Sequence, residues 1–173
     1  MSFPEPPDRH YLLAAMGWLE LGNPAEARAE LARINPSLAD NLAVLEVQWS
    51  ILANEKNWPE ALRAANRLIE SHSNEAAGWL HQAYALRRVS SGGLRAAWDA
   101  LFPVASRFPE EPTIPYNLAC YACQLGMQEE ARNWLARALK IGEPGKIREM
   151  ALADRDLEPL WDEIRRMRSA QER

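Results

Sequence analysis

Cysteine, histidine and any excess of positive charge are all lacking or scarce in this chain, and each shortage closes off a class of function. Two cysteines in 173 residues cannot build a disulfide framework, so a reducing cytoplasm is the expected setting. Lys and Arg number 20 against 24 Asp and Glu, a net charge of −4; a nucleic-acid binder carries the opposite excess. No apolar run approaches the ~18 residues of a membrane span. The opening Met1-Ser2-Phe3-Pro4-Glu5-Pro6-Pro7-Asp8 has neither the basic nor the apolar region of a signal peptide. The only histidines, His10, His72 and His81, lack the spacing of a metal-ligand pair. There is no Gly-rich phosphate loop, nucleophile elbow or His-Glu-x-x-His. Carboxylates such as Glu26, Glu30, Glu129 and Glu130 fall on solvent-facing stripes. We therefore expect neither an enzyme nor a bound cofactor.

What remains is a helical repeat. Hydrophobic residues make up 47% and charged residues 25%, the composition of a folded chain with a continuous core. Ala27, Ala61, Ala97 and Ala131 lie 34, 36 and 34 positions apart, each near the start of an amphipathic helix. A small side chain at that point lets two backbones approach where the helices of a hairpin cross. A period near 34 signals helix–turn–helix units, since one hairpin cannot cover its own apolar face. Residues 1–8 read as an extended lead-in. A first helix over 9–21 ends at Gly22. Asn23-Pro24-Ala25-Glu26 then has the order of a helix start: an N-cap, a proline at the first position and an acid at the third. Further helices are expected over 24–34, 38–53, 58–71, 74–88, 94–108, 113–125 and 128–141. Pro103 should bend its helix, and Ser90-Ser91-Gly92-Gly93 is a looser turn that absorbs two extra residues. The hairpins are thus about 9–36, 37–73, 74–111 and 112–143. Residues 144–173 form a capping segment, with short helices over 146–153 and from Asp156 to Met167.

These hairpins resemble the tetratricopeptide repeat (TPR) family in Trp79, Ala83, Ala97, Ala105 and Pro109 of the third unit, and in Leu118, Ala119, Leu125, Gly126, Ala131, Leu135 and Ala138 of the fourth. In the second unit Trp49 stands where the family prefers a small residue, and in the first Pro36 comes early. The resemblance implies an all-α, right-handed solenoid of four hairpins with a C-terminal cap, and a concave face lined by the first helix of each pair. Carried onto this sequence, the family's groove positions fall on Met16 and Glu20; Glu46, Ser50 and Asn54; Leu80, Tyr84, Arg87 and Arg88; and Tyr116, Cys120 and Gln124. The implied function is a scaffold or adaptor that binds a protein or peptide. The carboxylate clamp of chaperone-binding members is absent, because Leu12 and Met16 stand at its Lys and Asn positions. Asn117-Leu118-Ala119, Gly126, Glu129-Glu130-Ala131 and Arg137-Ala138-Leu139 through Glu143 also resemble one repeat of kinesin light chains. That second likeness implies an accessory protein of tubulin-like filaments.

Three constellations have both a functional and a plainer reading. The seven tryptophans suit a peptide groove, yet their helical spacing suits packing better. Cys120 and Cys123 form Cys-x-x-Cys, a redox or metal signature elsewhere; mid-helix, with no strand before it, the pair is expected to pack. Tyr84, Arg87, Arg88 and Tyr116 predict a basic-aromatic patch for an acidic, apolar segment, unless the arginines merely cap their helix. Arg165, Arg166, Arg168 and Arg173, with Trp161 and Ile164, offer an interfacial membrane contact; Asp162, Glu163 and Glu172 dilute that charge and favour a solvated tail.

Overall fold

A computed structural model describes residues 3–171, with side chains described through residue 166. Among the described residues the protein is all-α: ten α-helices and three 3₁₀ turns, with no strand. Among the described residues no helix is long and apolar enough to cross a membrane. Chain contacts divide it after Ser91 into two compact units.

The first unit holds α1 (Asp8–Glu20), α2 (Pro24–Leu31), α3 (Leu42–Asn54), α4 (Trp58–Ser71) and α5 (Ala76–Leu86). Each helix packs on the next, and α3 also touches both α1 and α5, so the odd-numbered helices form a row. Asn23 caps α2 as its sequence predicts, its side-chain oxygen accepting from the Glu26 N–H at 3.3 Å. Several boundaries move: α2 ends at Leu31 rather than Ile34, and α5 at Leu86 rather than Arg88. The helix expected from Leu38 begins instead at Leu42, because Pro36–Leu38 forms a 3₁₀ turn and Asn41 accepts from the N–H groups of Ala43 (3.0 Å) and Val44 (3.4 Å). A true N-cap outcompetes an apolar start. Likewise α5 begins at Ala76 rather than Asn74.

The turns inside the hairpins share one chemistry. Gly22, Lys56 and Gly126 all have left-handed backbone, at φ 72°, 56° and 78°. After each, the next N–H reaches back five residues: Asn23 to Trp18 (2.8 Å), Asn57 to Leu52 (2.9 Å) and Met127 to Ala122 (2.9 Å). That bond satisfies a carbonyl the helix end would otherwise leave open.

The four periodic alanines, Ala27, Ala61, Ala97 and Ala131, are all fully buried. In the first unit α3 packs on two sides: Val44, Val47 and Ile51 join Leu12, Ala15 and Ala27, while Trp49 and Leu52 join Ala61, Ala64, Ala65 and Ala85. A helix apolar on opposite faces must sit between neighbours. The α4–α5 crossing is closer still. A Cβ on Gly78 would stand 3.1 Å from atoms of Leu68 and Ile69.

The second unit holds α6 (Leu94–Leu101), α7 (Thr113–Gln124), α8 (Gln128–Ile141), α9 (Pro144–Ala153) and α10 (Trp161–Gln171). Pro103 does more than bend its helix: α6 stops at Leu101 and Phe102–Ser106 winds as a 3₁₀ turn. The proline has no N–H to give and its ring crowds the carbonyl four residues back. Most of α7 is buried, including Ile114, Leu118, Ala119, Tyr121 and Ala122. It contacts α6, α8 and the 3₁₀ turn Arg155–Leu160. That turn is capped by Asp154 rather than by the expected Asp156 (Asp156 N–H to Asp154 Oδ1, 2.9 Å). Arg132 on α8 grips Glu163 on α10 through two bonds of 2.8 Å.

Candidate functional site

Helix α1 places Met16, Leu19 and Glu20 on one stripe, at i, i+3 and i+4; α3 does the same with Ala43, Glu46, Val47, Ser50 and Asn54. The two stripes line an open cleft of about 390 Å³, to which Phe3 also contributes. Met16, Glu20, Glu46, Ser50 and Asn54 were all expected on the groove face, and all five line this cleft. The apolar wall is Phe3, Met16, Leu19, Ala43 and Val47. No arginine or lysine is among the lining residues; Arg9 lies outside it, 6.0 Å above the Phe3 ring.

The polar atoms of the cleft are biased. The Ser50 hydroxyl donates to the Glu46 carbonyl at 2.9 Å, and the Asn54 amide donates to the Ser50 carbonyl at 2.9 Å. The hydroxyl hydrogen and one of the two Asn54 amide hydrogens are thus spent on the helix itself, leaving one amide hydrogen as donor against carboxylate, hydroxyl and amide oxygens as acceptors. Glu46 is half-buried. Burial foremost, and then Glu75, push its carboxyl above the usual range, with His72 opposing.

Along the same row, α5 carries the aromatic cluster. Trp49 stacks face to face on His81, 3.7 Å between centroids and 5° apart in plane. Two flat rings in parallel contact let an indole and an imidazole share the narrow space between α3 and α5. Burial holds His81 down at a pKa of about 4, so the ring is neutral near pH 7. Among the described residues no acceptor meets the buried Trp49 indole N–H. Tyr84 packs edge-on to Trp49 and tilted against Trp58. Arg88 lies 3.4 Å from the Tyr84 ring centroid and 5.2 Å from that of Trp58, and donates to the Tyr84 carbonyl at 2.9 Å. Its guanidinium is engaged by its own helix end and two rings. Arg87 is the C-cap of α5, and Leu80 is half-buried on the same helix.

Tyr116, Cys120 and Gln124 belong to the second unit and meet the chain's own tail. The Tyr116 hydroxyl donates to Asp154 Oδ2 at 3.2 Å, and the Cys120 thiol to the same oxygen at 3.5 Å. Gln124 donates to the Asp156 carbonyl at 3.0 Å. Burial first, then Cys120 and Asp154, drive the Tyr116 hydroxyl far above its ordinary pKa. Cys120 and Cys123 are both free thiols and buried. Burial and then Asp156 raise the Cys123 thiol, with Arg132 opposing, so it stays protonated and is a poor nucleophile. One donor atom each from Cys120, Asp154 and Asp156 lies within 4.8 Å of the others. Both Asp154 oxygens already accept hydrogen bonds, the arrangement of a clasp between tail and α7.

Each tryptophan is buried or half-buried, as the packing reading expects. The Trp161 indole N–H donates to the Ala151 carbonyl at 2.9 Å, and Ile164 is 1% exposed. Both face their own unit, where a lipid contact would need them outward. Arg165 pairs with Asp162 at 2.9 Å, and Arg166 donates to the Asp162 carbonyl at 3.0 Å. The side chains of Met167, Arg168, Glu172 and Arg173 lie outside the described residues. Sequence reasoning missed Phe3, Leu19, Ala43 and Val47. The last three share the stripes of Met16 and Glu46, so helical spacing could have found them. Phe3 sits in the proline-rich lead-in and carried no periodic signal.

The chain matches no family model and no curated protein.

Proposed function

We propose that this is a non-enzymatic protein-interaction module, a cytoplasmic scaffold or adaptor built as a right-handed TPR-type solenoid of four hairpins with a C-terminal cap. Its partner is a polypeptide segment taken up on the face made by the first helices of the hairpins. One observation carries this reading. On α7 the groove positions Tyr116, Cys120 and Gln124 already hold an irregular segment of chain, through bonds to Asp154 and Asp156. On α1 and α3 the same positions border an open cleft with an apolar wall. A surface that grips chain in one place, and is open where the register repeats, suits segment recognition.

Panning a random dodecapeptide library against the immobilised full-length protein tests the reading. Selected peptides should lose about tenfold or more in affinity for Met16→Arg, a loss of about 1.4 kcal/mol. Met16 is 36% exposed, so the fold tolerates the change. Peptides that bind the variant as tightly as the parent place recognition elsewhere.

A further inference from the structure

We infer that the α1/α3 cleft selects a basic, apolar segment: a leucine- or methionine-sized side chain set against the wall, with a lysine or arginine beside it. The inference rests on the segment-binding reading above and names the chemistry of the partner. Charge complementarity is its first support. Among the described residues, Glu20 and Glu46 are the only ionisable side chains in the lining, and both are acidic. Glu75 adds a third carboxylate close enough to disfavour the Glu46 anion. For a half-buried carboxylate beside another, the positive charge of an incoming cation offsets both the cost of desolvation and the neighbour's repulsion, beyond what His72 already supplies.

The hydrogen-bonding inventory is the second support, and it is independent of charge. The Ser50 hydroxyl hydrogen and one Asn54 amide hydrogen are committed to backbone carbonyls of α3. The oxygens that remain can only accept. An ammonium or guanidinium brings three or five donors and no acceptor, which matches such a surface; a carboxylate would find almost nothing to receive. The third support is the wall. Met16 is exposed while Ala43 and Val47 are buried at its base, so a flexible thioether can close over an apolar side chain entering beside it.

This chemistry differs from the acidic segment expected for Arg87 and Arg88. The Arg88 guanidinium is occupied by Tyr84 and Trp58, whereas the carboxylates of the cleft face space.

The composition of peptides selected from the dodecapeptide library decides the matter. Winners should carry Lys or Arg within two positions of Leu or Met. Their affinity should fall about tenfold in a Glu20→Gln/Glu46→Gln double variant; affinity for the parent should also fall on raising salt from about 50 to 500 mM, a dependence the double variant loses. Unaltered circular dichroism of the variant checks its fold; a single Glu20→Gln, at an exposed position, gives a second reading of the same effect. Acidic or uncharged winners that still lose affinity for Met16→Arg overturn the charge assignment and leave the segment-binding reading standing. Winners indifferent to Met16→Arg overturn both.

Discussion

Lys56 occupies a position that two glycines hold elsewhere. Its φ of 56° matches Gly22 and Gly126, and a side chain in that conformation costs about 1–2 kcal/mol that glycine does not incur. Lys56→Gly should therefore raise stability by about 1 kcal/mol in urea denaturation, and Gly22→Ala should lower it by a similar amount; no gain from the glycine would contradict this account of the turn. The turn was legible in the sequence at Gly22 and Gly126, where glycine announces itself, and also at the polar run Asn54-Glu55-Lys56-Asn57, where nothing marked Lys56 as the residue with left-handed backbone. His81 gives a pH signature. Its folded pKa of about 4 lies below the ordinary 6.5, so the unfolded chain binds the proton first. Stability from this group is complete above pH 6.5 and is lost as pH falls towards 4, about 2 kcal/mol of it by pH 5. His81→Phe keeps a ring against Trp49 and cannot titrate. The variant should lose less stability than the parent between pH 7 and pH 5 in chemical denaturation; equal losses would mean that the buried imidazole is not responsible.

Helices follow from local spacing where capping and period agree. Asn23-Pro24 with buried Ala27 is such a case, and so are Ala61 and Ala131 in their hairpins. Where a second signal competes, the local reading misplaces the boundary. Asn41 displaces the start of α3 from Leu38, and Pro103 ends α6 instead of bending it. The 3₁₀ turn Arg155–Leu160 was beyond sequence reasoning, because it docks on α7 through residues more than 30 positions away. Asp154 is the hinge of that docking. Asp154→Ala removes the acceptor for the Asp156 N–H, the Tyr116 hydroxyl and the Cys120 thiol together, leaving a buried hydroxyl unpaired at a cost of about 1–3 kcal/mol. Deuterium exchange over residues 155–160 should quicken in this variant while α1–α5 keep their rates. Asp154→Asn, which retains an acceptor, should fall between the two. Unchanged exchange in Asp154→Ala would assign the docking to Leu157 and Leu160 packing alone.

The division of the chain after Ser91 falls within the third expected hairpin, at the Ser90-Ser91-Gly92-Gly93 turn where the spacing lengthens from 34 to 36. The sequence marks a loose turn there; a boundary between compact units depends on how many contacts cross it, which periodicity does not encode. The site was legible to a similar depth. The repeat resemblance put Met16, Glu20, Glu46, Ser50 and Asn54 among its groove positions, and they meet in one cleft. The same resemblance put Tyr116 and Cys120 among those positions on α7, but could not reveal that Asp154 of the tail meets them. The net charge of −4 and the acidic rim of the cleft both favour cationic partners over anionic ones. Mapping of backbone amide shifts in the full-length labelled protein, titrated with a library-selected peptide, tests the segment-binding account most directly. The account predicts perturbations concentrated on α1 and α3 around Met16, Glu20, Glu46, Ser50 and Asn54. Perturbations gathered instead around the separate cleft that Arg28, Arg63 and Arg67 line on α2 and α4, or confined to residues beyond Gly92, would contradict it.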